Sequence, residues 1–214
     1  PAHAPEFSRV FAARTCLMAG VGLTGVFLWY LVRFWVYGKA VVLTSAPLTI
    51  PAGFLIAGMA VATLIGAALA SWAAGPISER IEEKNIPGAR VVAGACLLYA
   101  AGLALAWGLG LWSTGTAREN GMLLFALISG FAFGVYDSLG LELVMDSLPD
   151  PRRAGHDLGI YALANSAGLA LAAIIGALLV NAFEHSFGYY LLFPSAIVMV
   201  LLAGIVTLTT KSAE

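Results

Sequence analysis

The sequence predicts an all-α polytopic membrane protein, and three observations lead there. Of its 214 residues, 60% are hydrophobic and only 11% charged, whereas a soluble domain is typically about 45–50% apolar and about 25% charged. The charges are also bunched: no Asp, Glu, Lys or Arg lies between Lys39 and Glu79, between Arg90 and Arg118, or between Asp157 and Glu184. Each gap exceeds the roughly 20 residues needed to cross a bilayer core of about 30 Å. Third, six apolar stretches can be placed, at about 10–32, 48–74, 91–113, 122–148, 158–183 and 189–210, and each is long enough to span. Residues 1–214 therefore read as a single six-helix transmembrane domain.

The first stretch carries Arg14 near its start and Thr24 and Tyr30 further along. An arginine a few residues inside a membrane commonly snorkels to the interface, with anion binding as its functional alternative. The second stretch is flanked by Pro47 and Pro51, which lipid tolerates where neighbouring helices satisfy the freed carbonyls. The third and sixth carry no formal charge between Val91 and Ser113 or between Tyr189 and Thr210, so both are expected to face lipid. The fourth holds Asp137, Glu142 and Asp146, and the fifth Asn165 and Ser166.

A charge at the bilayer centre costs about 2.5–3.5 kcal/mol on insertion scales, so each such residue is a functional candidate. Asp137 leads: it lies roughly 22 Å from the outer end of its span at 1.5 Å per residue. An apolar setting would favour its neutral form, as proton carriage requires. A structural hydrogen bond is the alternative. Glu142 and Asp146 share one helical face, about 140–180° away from Asp137, so the three cannot line one cavity equally; Glu142 is the second coupling candidate. Tyr30, Thr24, Asn165 and Ser166 are candidate polar liners.

Orientation follows from the basic residues. Eight (Arg9, Arg14, Arg80, Lys84, Arg90, Arg152, Arg153, Lys211) lie on the amino-terminal side and three (Arg33, Lys39, Arg118) on the other, which puts both termini in the cytoplasm. Trp35, Tyr37, Trp112, Tyr189 and Tyr190 gather at the outer ends as an expected interfacial belt. Cysteine labelling at positions 113 and 212 is expected to report outside and inside access respectively; the reverse pattern would overturn this topology.

Several function classes are excluded. A net charge of −1 gives no basic field for nucleic acid. The two cysteines, Cys16 and Cys96, have no partner at ligand spacing, so they read as buried thiols. No phosphate-binding loop, His/Glu metal spacing or nucleophile elbow occurs. No enzyme, no cofactor and no metal is expected. The first residue is Pro1, and the reading is that the native start lies upstream.

The loop after the second stretch, expected at 75–90, reads Gly75-Pro76-Ile77-Ser78-Glu79-Arg80 and then Gly88-Ala89-Arg90. Gly75 suits a tight exit from the membrane, Glu79 can sit at a helix N-terminus, and Arg80 and Arg90 suit the anionic cytoplasmic interface. This resembles the loop signature of the major facilitator superfamily, although Glu82-Glu83-Lys84-Asn85 is longer and more acidic than the usual spacing. The fourth-to-fifth junction, Asp146-Ser147-Leu148-Pro149 followed by Ala154-Gly155-His156-Asp157-Leu158-Gly159-Ile160 and Asn165, is similar to the tenth-to-eleventh helix junction of actinobacterial-type members. Arg14 resembles the opening of their seventh helix. Asp157 also has a bland reading, as a carboxylate favoured by the helix dipole.

The resemblance implies the carboxy-terminal half of a secondary transporter, two inverted three-helix repeats whose first and fourth spans line a central cavity. Its second and fifth spans would meet a second six-helix half through small-residue faces such as Gly58-Ala62-Gly66 and Ala164-Gly168-Ala172. Gly75, Glu79, Arg80, Arg90 and Asp157 would form the gating loop, with Glu79 held against a helix N-terminus across the interface between halves. The family's usual acidic position in the fourth span falls nearer Gly140, and Asp137 departs from it. The implied partners are the bilayer, the second half and a small-molecule substrate. The alternative function is a scaffold or accessory subunit of a larger membrane assembly, recognisable by sealed packing with Asp137 and Glu142 both paired.

Overall fold

The computed structural model describes residues 5–37, 49–112, 116–146, 154–183 and 185–210, which are almost entirely helical. The helices are α1 (Pro5–Gly25), a short α2 (Leu28–Leu31) that runs into a π-helical turn at Val32–Val36, α3 (Thr49–Glu83), α4 (Gly88–Trp112), α5 (Thr116–Asp146), α6 (Ala154–Ala182) and α7 (His185–Leu208). Five are long and apolar enough to cross a membrane, and α1 with the segment Leu28–Val36, bent by 46° at the break between them, makes a sixth when the pair is counted as one span. The protein is therefore an all-α, multi-pass membrane protein in contact with the bilayer. The side chains of Glu142 and Asp146, and the segment holding Pro149, Arg152 and Arg153, lie outside the described residues.

The pairing of helices repeats under an exchange of the first three spans for the last three. Helix α3 packs on α5 as α6 packs on α1, α4 packs on α5 as α7 packs on α1, and α4 and α7 meet each other. An odd number of spans per unit makes the second unit inverted relative to the first. The first and fourth spans, α1 and α5, touch only slightly. Two three-helix groups, α1/α6/α7 and α3/α4/α5, are thus joined at the back along α4 and α7 and stand nearly apart at the front.

Small residues set the close crossings. A Cβ at Gly130 would lie 2.8 Å from Cα of Thr63, and one at Gly66 would lie 2.7 Å from the Phe131 nitrogen, so α3 and α5 approach backbone to backbone. A Cβ at Gly168 would lie 2.7 Å from the Thr15 carbonyl oxygen, which repeats the arrangement between α6 and α1. The faces expected to meet a second half are therefore used inside the chain: Ala164 and Ala172 are fully buried with Gly168 on α1, and Gly66 is buried on α5. Each helix has a second small-residue stripe that stays exposed, Gly53, Ala57, Ala60, Ala68, Ser71 and Gly75 on α3 and Gly159, Ala162, Ser166, Ala170 and Ala177 on α6.

Three further expectations are corrected. The third span is half enclosed, with 50% of its apolar stretch buried against 22% for the second and fifth; a charge-free helix is as compatible with a protein interior as with lipid. Trp35 and Tyr189 are core residues, 1% and 6% exposed. Trp35 meets Tyr190 edge to face at 4.2 Å and Tyr189 stacks on Phe34 at 4.7 Å, so the part of the first span beyond its bend buries these rings, while Trp112 stays 90% exposed. The expected loop at 75–90 is helical through Glu83, since α3 continues past Pro76.

The turn that replaces it lies at Asn85, whose φ of 51° is left-handed. The Ile86 N–H reaches the Ile81 carbonyl at 3.0 Å, closing the α3 terminus as in a Schellman motif. Gly75 is thus a mid-helix residue with open space about it and not a turn. At the opposite end of the bundle, burial and then the Glu119 carboxylate that accepts its hydrogen bond push the Tyr37 phenol above its usual range.

Candidate functional site

Arg14, Asp137 and Asn165 come together where the front seam is open. Arg14 lies nine residues from the start of α1 at Pro5 and Asp137 nine from the end of α5 at Asp146, about 14 Å along the axis. Asn165 is eleven residues from the start of α6, about 16 Å. Equal depth is what lets three helices present these side chains to one another.

The Arg14 Nη1 group donates to Asp137 Oδ1 and its Nε to Asn165 Oδ1, both at 2.8 Å. Three rings enclose the guanidinium: Phe133 and Tyr136 from α5 and Tyr161 from α6, with centroids 5.4, 5.5 and 5.8 Å from Cζ. The side chain of Arg14 is 8% exposed and that of Asp137 58%. The expectation that Arg14 snorkels is therefore wrong: its donors are held inward. Asp137 in turn is no carboxylate in an apolar pocket, since it is paired and reaches open space.

The bridge has a structural consequence too. Because α1 and α5 barely touch, the Arg14–Asp137 pair straps the two three-helix groups together at the front, opposite the α4–α7 seam.

The other sequence candidates lie elsewhere. Tyr30 sits beyond the bend of the first span, 48% exposed and stacked on Tyr189 at 6.1 Å. Thr24 is buried and donates to the Val21 carbonyl at 3.1 Å, and Ser166 is exposed on α6. The backbone of Glu142 lies in α5, five residues beyond Asp137. Gly75, Glu79 and Arg80 are exposed on the carboxy-terminal extension of α3, and Arg90 is exposed in the first turn of α4. Asp157 is 14% exposed in the first turn of α6, where His156 Nδ1 lies 3.3 Å away.

Sequence reading missed the ring enclosure. Its signal was present in the spacing: Phe133 lies four residues before Asp137 and Tyr161 four before Asn165, which at helical period places each of these two rings beside its polar neighbour, whereas Tyr136, adjacent to Asp137, carries no such spacing signal.

The major facilitator superfamily model matches residues 53–214, three quarters of the chain. The chain belongs to the major facilitator superfamily. Members of this superfamily are transporters rather than enzymes. No curated protein matches the chain. Arg14 and Asp137 lie on its first and fourth spans, α1 and α5.

Proposed function

We propose that this major facilitator chain is the carboxy-terminal half of a secondary active transporter that moves a small solute across the cytoplasmic membrane by alternating access, coupled to protons through Asp137. The observation that carries the reading is the Arg14–Asp137 bridge, a charged pair inside the membrane whose carboxylate is more than half exposed on the open side of the bundle. An exposed carboxylate can exchange protons with cavity water, and a strap between two helix groups can be released when its charge is cancelled.

The exposed small-residue stripes of α3 and α6 support a second six-helix half, because they let another helix approach closely where the superfamily places it. Gly75, Glu79, Arg80, Arg90 and Asp157 fit a cytoplasmic gate, with Glu79 exposed and able to meet a helix N-terminus of that second half. The basic-residue bias supports cytoplasmic termini. The scaffold alternative is not favoured, because the chain belongs to a superfamily of transporters.

The test is accumulation driven by a pH gradient in vesicles holding the intact transporter. Asp137→Asn is expected to abolish uphill accumulation while leaving solute exchange largely intact, because exchange requires no net deprotonation. Glu142→Gln serves as the comparison for the second candidate. Normal proton-driven accumulation in both variants would refute the coupling role.

A further inference from the structure

Arg14 has more hydrogen-bonding capacity than the protein uses. A guanidinium carries five N–H donors; Nε goes to Asn165 and Nη1 to Asp137, and Nη2 has no partner among the described residues. The side chain is 8% exposed, and donors left over in such surroundings are costly unless something meets them. The rings of Phe133, Tyr136 and Tyr161 lie about the guanidinium, so the approach left is along the Nη edge beside exposed Asp137. That edge is not wholly sealed: among the described residues, Trp107 Nε1 is the one side-chain polar atom both sealed and unpartnered. The ion pair itself is single-pronged, whereas arginine and a carboxylate are matched for two parallel bonds.

We infer that the Nη edge of Arg14 is a recognition site for a small oxyanion, an organic carboxylate or a tetrahedral anion, that displaces the Asp137 carboxylate and is taken up together with a proton on Asp137. The inference rests on the transporter reading above and adds its substrate class. With Asp137 ionised, the two side chains sum to zero charge and an arriving anion meets a carboxylate at the edge it needs. When a proton from cavity water adds to Asp137, the repulsion is removed and the charge of Arg14 is left for the ligand. Only hydrogen bonds exchange: Nη1 leaves Asp137, and Nη1 and Nη2 take the two oxygens of the anion. Asn165 keeps its bond to Nε throughout, so it is a positioning residue that fixes the plane of the fork.

No other formal charge competes at this depth among the described side chains. Asp137 faces Arg14 from α1, Tyr161 from α6 and Tyr136 of its own helix, behind which stands Cys96 of α4. Helix α3 carries no charge before Glu79, and α7 none from Phe187 to Leu208.

The test measures binding to the intact transporter by ligand-induced thermal stabilisation from pH 5 to 8. The probes are pyruvate and sulfate, whose charges do not titrate in this range, with glucose and choline as neutral and cationic controls. Pyruvate or sulfate is expected to bind more tightly as pH falls, by up to about tenfold per pH unit, because one proton is bound with each anion; which of the two binds identifies the source. Asp137→Asn keeps the oxygen acceptor for Arg14 and is expected to bind tightly with no pH slope. Arg14→Lys keeps the charge, loses the fork, and is expected to weaken binding at least about tenfold. Failure of both oxyanions at every pH, or a pH slope that survives Asp137→Asn, overturns the inference. Glucose or choline accumulating with loss in Asp137→Asn would overturn the oxyanion while the transporter reading stood.

Discussion

Replacing Gly130 with leucine is expected to keep α3 from seating on α5 and to cost about 3 kcal/mol or more, the upper range for forcing bulk into a packed site. The atoms that a Cβ at Gly130 would meet are the backbone of Thr63. Backbone cannot rotate aside as a flexible side chain can, so the helices must separate along much of their contact. Gly66→Leu should do the same from the other side, because its Cβ would meet the backbone of Leu127 and Phe131. The check is the fraction of folded protein in mild detergent, read from its unfolding midpoint. Gly53→Leu and Gly75→Leu are the matched comparisons, since nothing lies within 4 Å of a Cβ at either position. Those two should leave this six-helix unit folded, within about 1 kcal/mol, while weakening any union with a second half. Equal losses at all four glycines would show that general helix effects, not the α3–α5 crossing, set the cost.

The second large effect is an asymmetry within the charged bridge. Asp137→Leu strands a guanidinium that is 8% exposed, whereas Arg14→Met strands a carboxylate that is 58% exposed. An uncompensated buried charge costs about 3–5 kcal/mol; an exposed one is solvated and costs far less. Asp137→Leu should therefore destabilise by about 3 kcal/mol and Arg14→Met by about 1 kcal/mol, the latter mainly through the lost hydrogen bonds. The double replacement should be more stable than Asp137→Leu alone, because no charge is then left unpaired. Unfolding of the four proteins in a double-mutant cycle measures this directly. Equal costs for the two single replacements would mean that the bridge is not oriented as described.

Much of the architecture was legible in the charge distribution. The gaps between Lys39 and Glu79, Arg90 and Arg118, and Asp157 and Glu184 mark spans because a charge in lipid is expensive whatever the fold. The observed helices begin and end within several residues of the expected limits in most cases. The exceptions have local causes. Helix α3 runs nine residues past the expected limit of 74, since Pro76 did not end it and the left-handed Asn85 did. The first span bends between Gly25 and Leu28, where Phe27 sits at φ −98°, ψ 10°, near the sparsely populated bridge region. Three glycines, Gly20, Gly22 and Gly25, stand in that stretch, and they do not say which of them faces a neighbour.

The site divides in the same way. That Arg14, Asp137 and Asn165 are costly or polar groups inside the membrane follows from one-dimensional accounting, and sequence alone singled them out. Their meeting does not follow, because it depends on three helices from two inverted units being set at a common depth. Composition fixed that this chain lives in a bilayer, with six spans and charged exceptions, since the transfer cost of each side chain is a property of that side chain. Tertiary structure decided which of two small-residue stripes on α3 and α6 is internal, that the charge-free α4 belongs to the core, and that Arg14 is buried and paired rather than snorkelled. Each of those choices turns on which surfaces meet, and the energy of a contact belongs to the pair of surfaces and to neither sequence segment alone.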